Sequence, residues 1–286
     1  MIVVIGKNGQ LAKAIKNTNP DVLCLGREEI DVFDSQACTE KITALNPIGV
    51  INASAYTAVD LAESEPKNAF ALNELAVKNI ANAASKMNAH LVHVSTDYVF
   101  SGSKGSPYLP NDSHQPLNAY GASKAAGESI LLSEFADCSC ILRTSWVYSE
   151  YGNNFVKTML RLMAEKPELQ VIDDQVGSPT SAHTLAKTCL AAFNEKLTGA
   201  HHVTDEGVTT WYDFAMAIQE LGLTLGMLEK QIPIKPVPTI AYPTPAKRPT
   251  YSVLSKASLK EIIPYIALEH WRKPLLKVLQ ELNTPN

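Results

Sequence analysis

Short apolar runs alternate with longer amphipathic stretches through the first 170 residues of the chain. The runs lie at 2–5, 22–25, 49–52, 91–94 and 141–144, with a weaker one at 169–172. Each is continuously apolar rather than alternating, as a strand is when both faces of its sheet are covered. Between them, apolar residues at helical spacing predict helices near 10–17, 36–45, 66–87, 119–135 and 153–165. Strands alternating with helices imply right-handed crossovers and a parallel sheet, an α/β fold. The rhythm loosens after about residue 170. Pro179, Pro233, Pro236, Pro238, Pro243, Pro245 and Pro249 crowd the later chain, and that density excludes regular sheet there. Helices are predicted at 182–196, 210–222, 256–263 and 270–283. The expected division is a sheet domain over 1–170 and a smaller, proline-rich α/β lobe over 171–286, with some later segments returning to the sheet.

Composition narrows the function classes. With 286 residues, 45% hydrophobic and 19% charged, the chain can bury a full core. A net charge of −4 gives no basic footprint for nucleic acid. No apolar run approaches the ~20 residues of a membrane span. The first strand starts at once, with no basic region before it, so no export signal is read there. Five cysteines, odd in number and scattered, fit reduced thiols in the cytoplasm. The histidines lack ligand spacing with acids, so no metal is expected, and His93 reads as a core residue.

Gly6-Lys-Asn-Gly9-Gln-Leu-Ala12 follows the first strand directly and opens a helix. Gly6 permits the tight turn, Gly9 lets the backbone approach a pyrophosphate, and the helix N-terminus supplies N–H donors. The expected fold is therefore a Rossmann-type, doubly wound parallel sheet that binds a dinucleotide. An NAD site usually has an acid at the end of the second strand. Here that strand ends Leu25-Gly26-Arg27. Arg27 suits a 2′-phosphate, so NADPH is the expected cofactor and NADH the alternative. Asp31, a few residues on, is close enough to approach the adenosine.

Ligands of such sheets lie beyond the carboxyl ends of the strands. The third strand ends in the small-residue run Asn52-Ala-Ser-Ala-Tyr-Thr57, the fourth in Ser95-Thr-Asp-Tyr-Val-Phe100, and the fifth in Arg143-Thr-Ser-Trp-Val-Tyr148. Thr96 is placed to hydrogen-bond a reacting carbonyl, and Trp146 offers a flat face to a sugar ring. Tyr120 and Lys124 stand four residues apart, one turn on a shared helix face. A Lys ammonium near a Tyr lowers the phenol pKa and lets it trade a proton near neutral pH.

The glycine loop, Ser95-Thr96-Asp97 and Tyr120-x-x-x-Lys124 resemble the extended short-chain dehydrogenase/reductases. Asn52 to Glu65, Ser95 to Phe100, Arg143 to Tyr148, Gly152-Asn-Asn-Phe155, Asp174 to Thr180 and Ala241 to Pro249 are similar, nearly end to end, to the dTDP-4-dehydrorhamnose reductase family. The resemblance implies NAD(P)H-dependent reduction of the C4 ketone of a dTDP-4-keto sugar. It makes Tyr120 the proton donor, Lys124 the residue that tunes it and holds the nicotinamide ribose, and Thr96 a helper at the carbonyl. Gly9, Gln10 and Leu11 would contact the pyrophosphate, and Asp31 and Val32 would lie near the adenine. Ala55, Tyr56 and Thr57 would line the cofactor path, while Thr96, Asp97 and Trp146 would contact the sugar nucleotide. Arg248, beside Lys247, is the candidate for the substrate pyrophosphate. Two departures stand out: Gly26 replaces the family's usual acid, and Lys13-Ala-Ile-Lys16 lacks the carboxylate through which some members bridge a dimer by magnesium. A homodimer is left open. Other readings are a reductase or epimerase of another nucleotide 4-keto sugar, or a non-catalytic dinucleotide-binding regulatory subunit of the methionine adenosyltransferase type.

Overall fold

The computed structural model describes residues 1–284; Pro285 and Asn286, the end of the expected second lobe, lie outside them. The first half builds β1 (Ile2–Ile5), α1 (Gln10–Thr18), β2 (Leu23–Leu25), α2 (Ser35–Leu45) and β3 (Gly49–Asn52). Then follow α3 (Val59–Ser64), α4 (Pro66–Phe70), α5 (Ala76–Lys86), β4 (His90–Thr96), α6 (Ala119–Glu134) and β5 (Ser139–Thr144). The helix predicted over 66–87 is α4 and α5 joined by a π-helical turn, Ala71–Leu75.

The second half holds β6 (Val147–Tyr148), α7 (Phe155–Glu165), β7 (Leu169–Ile172), β8 (Val176–Gly177) and β9 (Thr180–Ser181). It continues with α8 (Ala182–Asn194), β10 (Gly199–His202), β11 (Thr209–Thr210), α9 (Trp211–Thr224), β12 (Ile234–Val237), α10 (Ala257–Ile262) and α11 (Arg272–Asn283).

Six strands form one parallel sheet in the order β10-β5-β4-β3-β1-β2. The chain order reverses at β1, so the crevice of this Rossmann-type, doubly wound fold opens beyond the ends of β1 and β3. One face is covered by α1 and α8 through Leu11, Ile15, Leu185 and Cys189. The other is covered by α2, α5 and α6 through Ile42, Val77, Ile80 and Leu131. Each such buried Ile, Leu or Val contributes about 1.5–3 kcal/mol relative to exposure, which is why the strands read as unbroken apolar runs.

A separate core joins α7, α9 and α11 through Met159, Phe214, Ile218, Leu275 and Leu279. Thus α7 packs with the later helices, while α8 and β10 return to the sheet. One expectation fails. The proline-crowded tract does contain regular sheet, because β12 pairs in parallel with β7 and includes Pro236. The pair is only two strands wide, so each strand is an edge, where a missing N–H is tolerated.

Candidate active site

Gly6 begins the crevice. Its φ of +112° is open to glycine, and a Cβ there would come within 2.9 Å of the Ala53 carbonyl carbon and the Ser54 nitrogen. Gly9 precedes α1, whose first N–H groups have no partner within the helix. Together they make a cradle for a pyrophosphate at the β1/β3 switch. The adjoining cavity, about 720 Å³, is lined by Gly6, Gly9, Arg27, Asp31, Val32 and Ala55, among others. Its position and backbone donors fit the adenosine half of a dinucleotide.

Charged side chains of both signs line that cavity. Glu29, in the turn after β2, pairs with Lys7 and accepts from the Gly26 N–H at 2.8 Å. Asp31 is turned back to its own loop, accepting from Phe33 N at 2.9 Å. Both carboxylates are engaged within the loop, while Glu28, next to Arg27, is exposed at the cavity wall. Arg27 is exposed there as well.

Gln10 and Leu11 lie on α1 outside this cavity lining. The Gln10 side chain accepts from Ser149 Oγ and Asn154 Nδ2, both at 2.9 Å, which ties the phosphate loop to the start of the second lobe. Thr57 is exposed. The Tyr56 peptide is held by Asn73 from the π-helical turn, whose amide accepts from Tyr56 N at 2.9 Å and donates to Tyr56 O at 3.1 Å. Sequence reasoning missed Asn73, since a π turn leaves no pattern distinct from α-helical spacing.

The reacting groups gather at the ends of β4 and α6. Asn118 caps α6 by accepting from Gly121 N at 2.7 Å, and its amide nitrogen donates to Lys247 O at 2.8 Å. One side chain thus starts the helix and anchors a second-lobe loop. Gly121 allows α6 to approach the turn after β4, for a Cβ there would lie 2.2 Å from Tyr98 O. Tyr120 then packs on Tyr98, ring centroids 5.7 Å apart and edge to face. The Thr96 hydroxyl sits beside the Tyr120 phenol and favours its ionised form.

Burial corrects one expectation about Tyr120. Desolvation pushes its phenol up to about 12, with the Thr96 hydroxyl opposing and Asp97 reinforcing the rise. The residue is therefore a loaded acid at neutral pH rather than a phenolate. Lys124 is 1% exposed and is lowered to about 8, chiefly by burial, against the pull of Glu128. It donates to Val94 O at 2.8 Å and meets His93 Nε2 at 3.1 Å.

Asp97 is buried beside Thr96, whose hydroxyl donates to Oδ1 at 3.0 Å, while Oδ2 has no partner among the described residues. Burial raises its carboxyl to about 6, with the Ser252 and Thr96 hydroxyls opposing. Trp146 has a left-handed backbone, φ 50°, a strained state for a bulky residue. One indole face is already stacked on Trp211 at 3.6 Å, so only the remaining surface is open to a sugar. Arg248 departs further from expectation. Its fork is engaged by Asp60 of α3, with bonds of 3.0 and 2.8 Å, because the loop carrying it folds down onto that helix. Arg248 thus pins the loop to α3.

The sequence model of the family described as RmlD substrate binding domain matches residues 1–284. The dTDP-4-dehydrorhamnose reductase of Escherichia coli (strain K12) is 41% identical over 259 residues, covering 89% of this chain and 86% of its own. The chain belongs to this reductase family. A solved structure of a dTDP-4-dehydrorhamnose reductase from Clostridium acetobutylicum superposes with a TM-score of 0.92 at 36% identity, covering 99% of both chains. The Bacillus anthracis family member, solved in complex with NADP, gives 0.91 at 33% identity over 98% of both chains.

Proposed function

We propose that the protein is an NADPH-dependent oxidoreductase that reduces the C4 ketone of dTDP-4-dehydro-β-L-rhamnose to dTDP-β-L-rhamnose, completing dTDP-rhamnose synthesis. The observation that carries this reading is the convergence of Thr96, Tyr120 and Lys124 at the sheet edge, in a chain 41% identical to a reductase of that name. NADPH, when bound in the crevice, supplies the hydride. The chain's own residues do the rest. Tyr120 gives its phenolic proton to O4, Thr96 turns its one hydroxyl proton from Asp97 Oδ1 to the same oxygen as charge develops, and Asp97 Oδ2 accepts from a sugar hydroxyl. Lys124 holds the nicotinamide ribose and restores the Tyr120 proton. Intact Thr96, Tyr120 and Lys124 speak against a regulatory subunit. The five free thiols fit the cytoplasm, and no helix among the described residues is long and apolar enough to cross a membrane.

The test is direct. Purified protein given dTDP-4-dehydrorhamnose and NADPH should bleach the reduced-nicotinamide absorbance, and failure with both NADPH and NADH sinks the proposal. In the same assay Arg27→Ala should raise the KM for NADPH about tenfold, the loss of one charge-assisted phosphate contact, and leave NADH unchanged. Equal effects on the two cofactors would remove Arg27 from 2′-phosphate binding.

A further inference from the structure

Asn52 at the end of β3, His93 in β4 and Lys124 in α6 form one buried hydrogen-bonded chain. Parallel pairing sets Asn52 opposite His93. Asn52 Nδ2 lies 3.1 Å from His93 Nδ1, and His93 Nε2 lies 3.1 Å from Lys124 Nζ. All three side chains are buried, so bulk water offers no easy substitute partner.

The direction of each bond follows from the end of the chain. The Ser54 backbone N–H can only donate, and it sits 3.1 Å from Asn52 Oδ1, with Ser54 Oγ at 2.6 Å on the same oxygen. That fixes the amide, oxygen toward Ser54 and NH₂ toward His93. Nδ1 of His93 therefore accepts. A neutral imidazole then carries its one proton on Nε2, aimed at Lys124 Nζ. Burial pushes the His93 pKa well below its ordinary value, so the ring is neutral. An amine takes the Nε2–H bond on its lone pair. An ammonium has no lone pair and meets the bond with N–H against N–H.

We propose that His93, locked by Asn52 in its Nε2–H tautomer, is a positioning residue that favours the amine of Lys124 over the ammonium and so readies Lys124 to return a proton to Tyr120. This rests on Tyr120 and Lys124 being the reacting pair. In each turnover the Tyr120 O–H bond breaks as O4–H forms. The phenolate regains a proton when an N–H bond of the Lys124 ammonium breaks, leaving the amine that His93 stabilises. No electrons are exchanged in that second step. A donor works best when its pKa lies near the working pH.

The other groups around Lys124 do not supply this preference. Glu128, a turn along α6, favours the ammonium, but its carboxylate is bonded to Arg143 of β5 and lies 3.0 Å from His114. Tyr120 is a neutral phenol a turn before, and Asp97 acts on Tyr120 from the turn after β4. His202 of β10 faces Arg143 and is neutral, lowered to about 3 by burial.

The test uses unliganded protein, so its failure is distinct from failure of the reductase reading. Imidazole ¹⁵N NMR reports the His93 tautomer, and a ¹³Cε-lysine titration reports Lys124. The expected results are an unprotonated Nδ1 and a Lys124 midpoint near 8. Asn52→Asp presents an acceptor to Nδ1, draws the proton there, and should raise the Lys124 midpoint by roughly one unit or more. Because the new charge acts in the same direction, His93→Gln is the decisive partner. Its amide oxygen accepts from the ammonium and should also raise the midpoint, carrying the basic limb of kcat/KM with it. A parent His93 protonated on Nδ1, or an unmoved midpoint in folded His93→Gln, overturns the proposal. A purely structural role would lower kcat at every pH without moving the limb.

Discussion

Tyr120→Phe is expected to lower kcat by about 10²–10⁴-fold, the usual worth of a positioned general acid, while the affinity for NADPH stays nearly constant. The ring remains, and with it the edge-to-face contact with Tyr98 and the packing on Ala62 and Ala69. Only the O–H is lost, and its proton is needed in the transition state rather than in binding. Single-turnover rates and a fluorescence titration with NADPH separate the two effects. Unchanged kcat would remove Tyr120 from its role. The parent pH profile has a defined sign. With its phenol pushed up to about 12, Tyr120 stays protonated across the working range. The basic limb therefore belongs to Lys124, which is lowered to about 8. Activity should fall as pH rises through that value, because Lys124 then no longer carries the proton it returns.

The strands of the first half were readable because burial on both faces leaves an unmistakable run of apolar residues. β10 was not: Gly199-Ala-His-His202 carries two histidines into a parallel sheet. His202 is accommodated there by the neighbouring Arg143, 3.3 Å away, and by Phe100, among others. β12 was hidden by Pro236, since sequence alone does not say which strand is an edge. At the site, local spacing pointed to Tyr120 and Lys124, and strand ends pointed to Thr96 and Asp97. His93 and Asn52 were read as interior and strand end. Their partnership depends on the β3–β4 register and on the depth of α6, neither of which is a local property. The Arg248 ion pair was hidden for a related reason: a cation in a loop has no partner in sequence, and Asp60 lies 188 positions away in the chain. The Tyr120 pKa was misread because proximity to Lys124 was weighed and desolvation was not.

Glu128→Ala should destabilise the fold by about 3–5 kcal/mol, the loss seen when one member of a buried ion pair is removed. That corresponds to a fall in Tm of roughly 10 °C for a chain of this size. Tyr120, Lys124 and Glu128 form an i, i+4, i+8 stripe on α6, so the residue that anchors the helix shares a face with those that react. Arg143, 1% exposed, donates to Glu128 from Nε at 2.8 Å and from Nη2 at 2.6 Å, and from Nη1 to Pro110 O at 2.8 Å. Without the carboxylate its charge stays buried and unpaired. His114 and Arg143 together hold the Glu128 carboxyl below its ordinary range despite burial. A folded pKa below the unfolded one contributes stability above the unfolded value, and loses it as pH falls through the folded value. The deficit of the variant should accordingly be full at pH 7 and shrink in acid. Replacing the pair with Glu128→Leu and Arg143→Met should recover most of the stability, because two well-packed apolar groups avoid desolvating two charges. Activity should not follow. Lys124 would lose the carboxylate that favours its ammonium, and the basic limb should move to lower pH in the double variant. Thermal melts and pH–rate profiles measured together would show stability restored with the limb still displaced. A limb that returned with the stability would mean that Glu128 acts on Lys124 only through the fold.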